Sequence, residues 1–126
     1  MLDGNLVFWI LQVLLALGFA AAGVTHATMH GEPRKGMEWT AAVPRPMVRT
    51  IGVLEILGAI GLVLPAATGI LPALTPIAAS AFVLLMLCAM VFHLRRGESS
   101  NAIGNVVLGL LALVVAFGRF AVVPLT

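Results

Sequence analysis

Charge is what this sequence has least of. Only 10% of its 126 residues are Asp, Glu, Lys or Arg, against roughly 25% in an ordinary soluble domain. No such residue occurs from Gly4 to Gly31, from Ile56 to Leu94 or from Ser99 to Gly118, runs of 28, 39 and 20 residues. A soluble fold of this length cannot hide a chain that is 61% hydrophobic, because a small domain leaves much of its surface in water. The composition therefore excludes a soluble enzyme and a disordered chain. A net charge of only +2 also excludes a nucleic-acid binder. Cysteine is almost missing. Cys88 stands alone in the middle of an apolar run, which rules out a thiol–disulfide relay within the chain. There is no Asn-x-Ser/Thr sequon, no low-complexity tract and no internal repeat. Motifs for haem, flavin, nicotinamide and iron–sulfur are also missing, so no cofactor is named and nothing points to electron transfer by this chain alone.

What is present is apolar length. A membrane-spanning helix needs about 20 mostly apolar residues. The 39-residue run divides in two, because Pro65, Gly69, Pro72 and Pro76 interrupt its middle. The expectation is an all-α integral membrane four-helix bundle, a single transmembrane domain over 1–126 with helices near 5–28, 46–65, 76–94 and 102–121. The first run reads as a retained span. It lacks a basic leading segment and is too long for a signal peptide, although Ala20-Ala21-Ala22 resembles a cleavage site.

Loop charge gives an orientation. Arg34, Lys35, Arg45, Arg49, Arg95 and Arg96 fall after the first and third spans, and only Arg119 falls on the other side. Basic loops stay cytoplasmic, so loops 29–45 and 95–101 are expected inside and both termini outside. Arg119 is expected to snorkel to the outer interface. Trp9 reads as an anchor at that same interface.

Helical spacing places particular residues on shared faces. The inward stripes are Gln12, Ala16, Phe19, Gly23 and His26; Gly52, Glu55, Ala59 and Leu62; Ala78, Phe82, Met86, Ala89 and His93; and Asn105, Gly109, Ala112, Ala116 and Arg119. Most of these positions are packing seams. Glu55 differs, because it lies well inside the second span and is too short to snorkel. A carboxylate there costs several kcal/mol unless it is paired, protonated or hydrated. Thr25, His26, Arg49, Glu55, His93, Asn101 and Asn105 all fall in the cytoplasmic half and predict a buried polar site beneath loop 29–45. That site is either a structural pair of Glu55 with His26 or His93, or a ligand or proton site. His26 and His30 have the spacing of two metal ligands, with Glu32 nearby, but a lone pair of this kind names no metal site. Trp39, between Pro33 and Pro44, reads as an interface anchor or as a lid touching a ligand.

The residues also resemble a known family, the DoxX-like small membrane proteins. The stretch Val48-Arg49-Thr50-Ile51-Gly52-Val53-Leu54-Glu55-Ile56-Leu57-Gly58-Ala59 is similar to the family's Arg-x-Ile-Gly-x-x-Glu-x-x-Gly-Ala signature. Ala21-Ala22-Gly23-Val24-Thr25-His26 resembles its Ala-Gly-x-x-Lys stretch, with His26 where a Lys is usual. Val91-Phe92-His93-Leu94-Arg95-Arg96-Gly97-Glu98 and Gly118-Arg119-Phe120 extend the likeness over nearly the whole chain. The resemblance implies a four-helix membrane bundle. It implies functions as varied as the membrane subunit of a thiosulfate:quinone oxidoreductase, partners in membrane redox complexes, and chaperones of membrane proteins. Histidine in place of lysine replaces a fixed charge by one that changes near neutral pH.

The leading expectation is a pocket for a lipophilic small molecule, a quinone being the named example, in an accessory subunit of a bacterial inner-membrane redox system. Glu55, His26, Arg49, Trp39, His93 and Asn105 would bind the ligand. A different class is an assembly factor or scaffold, using the face of Asn105, Gly109 and Ala112 to hold a membrane protein partner. The third is a stand-alone enzyme with Glu55, His26 and His93 as its acid–base groups. Small-residue faces also permit a homodimer. A transporter is disfavoured, since four spans enclose little volume and no inverted repeat is visible.

Overall fold

In the computed structural model, which describes residues 3–125, the chain forms four long helices and no strand occurs among the described residues. They are α1 (Gly4–Ala27), α2 (Arg45–Thr68), α3 (Leu74–Arg95) and α4 (Ser99–Phe117). The last continues as a π-helical turn over Gly118–Val122, and a 3-10 turn, Glu38–Ala42, lies in the long loop between α1 and α2. All four are long and apolar enough to cross a membrane. A helix of 24 residues such as α1 reaches about 36 Å at 1.5 Å per residue, enough for a hydrocarbon layer of about 30 Å with some tilt. The helices run up and down in a ring, α1 against α2, α2 against α3, α3 against α4, and α4 back to α1. One end of the bundle carries both termini and the short α2–α3 link. The other carries the long loop and the α3–α4 turn.

The local sequence explains where each helix stops. Asp3 caps α1, its side chain accepting from the Leu6 amide at 2.8 Å. Pro46 sits in the first turn of α2, where its missing amide proton does no harm. Gly69 ends α2 in the left-handed conformation at φ 72°, which a residue without a Cβ adopts freely. The burial pattern is inverted relative to a soluble bundle. Leu14, Leu17, Leu57, Leu84 and Leu110 are exposed, as befits lipid-facing residues, while Gln12, Glu55, Thr75, His93 and Arg119 are buried.

The structure narrows the expected break at 65–76. Pro65 lies inside α2, which runs on to Thr68, and only the link 69–73 separates α2 from α3. A proline inside a helix leaves the carbonyl four residues earlier without its donor. Here that carbonyl is Gly61 O, and Thr75 of α3 donates its hydroxyl to it at 2.9 Å. The next carbonyl, Leu62 O, receives Gln12 Nε2 from α1 at 2.7 Å. The helix therefore survives its proline because α3 supplies the donor that Pro65 lacks.

The structure also corrects the snorkelling expected of Arg119. Its side chain turns inward and the residue is 2% exposed. Nε donates to Gln12 Oε1 at 2.6 Å, and Nη1 donates to Asn5 Oδ1 at 2.9 Å and to Val123 O at 3.1 Å. Phe8 lies under the guanidinium at 5.4 Å. One amide, Gln12, thus joins α1 to α2 and to the end of α4. The acceptors at Gln12, Asn5 and Val123, rather than reach to the interface, decide where this arginine goes.

Candidate functional site

Two glycines create the central contact of the site. A side chain at Gly23 would strike Gly52 O and Ile56, and one at Gly52 would strike Ala27 N and Gly23 O. So α1 and α2 cross with their backbones in direct contact. Three residues beyond each glycine, on the same faces, stand His26 and Glu55. His26 Nδ1 lies 2.6 Å from Glu55 Oε1, with side chains 11% and 5% exposed.

A second carboxylate–imidazole pair stands on the other side of the bundle. His93 Nδ1 lies 2.9 Å from Glu98 Oε1, and Arg96 Nε donates to the same oxygen at 3.0 Å. The α3–α4 turn makes this possible. Gly97 adopts φ 72°, and the Glu98 amide returns to His93 O at 2.9 Å. The bond to His93, above all, holds the Glu98 carboxyl below the usual carboxylate range. A comparable turn lowers Glu38, whose carboxylate accepts from the Gly36 amide at 3.0 Å. Glu98 was not foreseen as part of the site. Its spacing of five residues from His93 across a glycine was the available signal.

Trp39 stands between the two pairs. Its ring centroid is 5.4 Å from His26 and 5.6 Å from His93, edge-on to both. Trp39 thus packs against both histidines of the expected site. The loop is tied down from several sides. Arg45 donates to Met29 O and Gly31 O, and Asn101 Nδ2 donates to Gly36 O at 3.2 Å.

Beneath Trp39 lies a cavity of about 480 Å³, within the size range of small-molecule sites. Phe19 helps to line it and stacks on Phe82, with centroids 3.8 Å apart and planes within 12°. Of the six residues expected at a ligand site, Glu55, His26, Trp39, His93 and Asn105 line the cavity. Arg49 does not. It is exposed on α2, as its rotation of about 120° from Glu55 requires. Thr25 is also outside, bonded to Ala21 O of its own helix. His30 is exposed, its Nδ1 lying 3.0 Å from Thr28 O. No group of three or more metal-ligating side chains occurs among the described residues. Nδ1 of His26 and of His93 is engaged by a carboxylate, which leaves Nε2 as the other nitrogen of each ring.

Asn105 is the unusual member. Its Nδ2 is buried and has no hydrogen-bond partner among the described residues. An amide that lines a cavity with an unmet donor is rare, because each buried donor left unpaired costs about 1–3 kcal/mol. The row of Asn105, Gly109 and Ala112 turns inward at this level. A side chain on Gly109 would meet Met86, and Ala112 is fully buried.

No curated protein and no solved structure is significantly similar to the chain. The sequence profile of the DoxX-like family matches residues 10–115, most of its length. The chain is therefore a four-helix integral membrane protein that belongs to the DoxX-like family.

Proposed function

We propose that this protein binds a lipophilic small molecule bearing an oxygen acceptor, with a quinone as the best-fitting class, and serves as an accessory subunit of a bacterial inner-membrane redox system. The observation that carries the reading is the unpartnered Asn105 Nδ2 in a cavity of about 480 Å³. A carbonyl on the ligand would satisfy that donor. The walls are mainly apolar, with Met86, Phe92 and Leu108 among them, and they suit a ring. Glu55 with His26 on one wall and His93, backed by Glu98, on another are the groups that would carry protons. Loops 29–45 and 95–101 face the cytoplasm in this reading, following the basic-loop bias.

The test is Glu55→Gln, which keeps the shape and removes the acid. Binding of duroquinone to protein in lipid nanodiscs is read from quenching of Trp39 emission. The affinity is expected to fall by about tenfold or more, equivalent to the loss of one charge-assisted contact, while the unfolding midpoint changes little. Equal affinity in the variant would sink the proposal.

A further inference from the structure

The cavity is covered at the loop end and flanked by rows of helix residues. Met37, Trp39 and Val43 of the loop cover it at the loop end, so a ligand as apolar as the lining does not arrive from water. One flank lies between α1 and α4, the neighbouring helices that pack least closely. On α1 the residues facing α4 follow helical spacing: Phe8, Leu11, Leu15, Gly18 and Ala22. On α4 the matching row is Gly118, Val115, Leu111, Leu108 and Gly104. At the terminal end the rows are shut. Phe8 fills the space over Gly118, Val123 covers Gly4, and Arg119 reaches Gln12 and Asn5. Leu15 and Val115 are buried, Leu108 is half-buried, and Gly18 and Gly104 are exposed. No atom lies within 4 Å of where a Cβ would stand on Gly18 or Gly104. In the half of the bundle where the cavity lies, the α1 row thus ends in Gly18 and Ala22 and the α4 row in Gly104. Gly18 and Leu108 line the cavity itself. On the opposite flank, between α2 and α3, the lining residues are Met47, Ile51, Leu85, Cys88 and Phe92, of which Met47 and Cys88 are exposed.

We infer that the ligand carries a lipid-like chain, and that this chain passes into the bilayer through the slot between α1 and α4 framed by Gly18 and Gly104. The inference rests on the reading of the cavity as a lipophile site and adds the chemical class: a polar head with an acyl or isoprenoid tail. Asn105 lies next to Gly104 in sequence, so a head bonded to Asn105 Nδ2 starts its chain at the mouth of the slot. The chain never leaves an apolar medium. The slot therefore adds little affinity of its own and acts by leaving room.

That property defines the experiment. Two probes are compared in nanodiscs: duroquinone, which has no chain, and a decyl-substituted benzoquinone. The sequence holds two tryptophans, so a Trp9→Phe background makes Trp39 the single reporter. Gly104→Phe fills the slot from a helix face that touches nothing else, and Leu110→Phe places the same ring on the exposed opposite side of α4. The expected result is a loss of about tenfold or more for the decyl probe in Gly104→Phe, from overpacking, with duroquinone unchanged. Leu110→Phe should alter neither, and Gly104→Leu should give a smaller loss of the same kind. Undiminished decyl binding in Gly104→Phe, or equal loss of both probes, would overturn the slot while leaving the cavity. Failure of the parent protein to bind either probe would overturn the cavity reading and the slot with it.

Discussion

The contact between Thr75 and Gly61 offers a sharp test of how α2 tolerates its proline. Thr75→Val keeps the volume and deletes the hydroxyl that donates to Gly61 O. A buried carbonyl left without a donor costs about 1–3 kcal/mol. Interhelical hydrogen bonds in membranes are worth less, averaging about 0.6 and reaching about 1.7 kcal/mol. Thr75 is fully buried, and its acceptor has lost its helical donor to Pro65, so the upper part of that range applies. The substitution should cost about 1–2 kcal/mol. Pro65→Ala restores a backbone N–H four residues after Gly61, and the hydroxyl becomes redundant. In that background Thr75→Val should cost less than about 0.5 kcal/mol, a coupling of about 1 kcal/mol in a double-mutant cycle. The measurement is the unfolding midpoint in mixed micelles of increasing SDS fraction, read by circular dichroism. An equal cost in the two backgrounds would show that Thr75 is not the substitute donor.

Two further outcomes follow from the site. Gly52→Ala drives a methyl group into backbone atoms of α1, which cannot step aside; it should lower stability by about 1–3 kcal/mol and weaken duroquinone binding, whereas Gly104→Ala, set in open space, should do neither. The Glu98 carboxyl is depressed chiefly by its bond to His93, so the pair stabilises the α3–α4 turn above the ordinary carboxylate range and lets go as pH falls through the lowered value. Protection of the Glu98 amide from hydrogen exchange, relative to its intrinsic rate at each pH, should fall over that acidic window, and a flat profile, or an equally steep one in Glu98→Gln, would refute the assignment.

Much of this arrangement was legible because helical spacing acts within one segment. The stripe Gln12, Ala16, Phe19, Gly23 and His26 is the buried face of α1 with only Leu15 added. The isolation of Glu55 in an apolar run demanded a partner, and His26 was one of two named. Features that depend on two segments were harder to read. Pro65 looked like a helix end because its substitute donor, Thr75, belongs to another helix. Arg119 looked like an interfacial cation because its acceptors, Gln12 and Asn5, lie more than 100 residues away. Glu98 looked like a solvated loop residue because only the turn at Gly97 folds it back on His93. Arg49 passed for a site residue on depth alone, although rotation about the helix puts it outside.

The bond between Gln12 and Arg119 also sets an order of events during synthesis. Its two residues are separated by nearly the whole chain. The fourth helix leaves the ribosome after the other three, carrying a guanidinium close to its far end, and an arginine in a bilayer is unfavourable by itself. Its acceptors were made first and must still be free, at the right depth, when it arrives. The first helix therefore waits in the membrane with its amide uncommitted to the fourth, and the ring closes only once Arg119 has been made. A nascent chain cut before residue 119 would lack the clasp between its first and last helices.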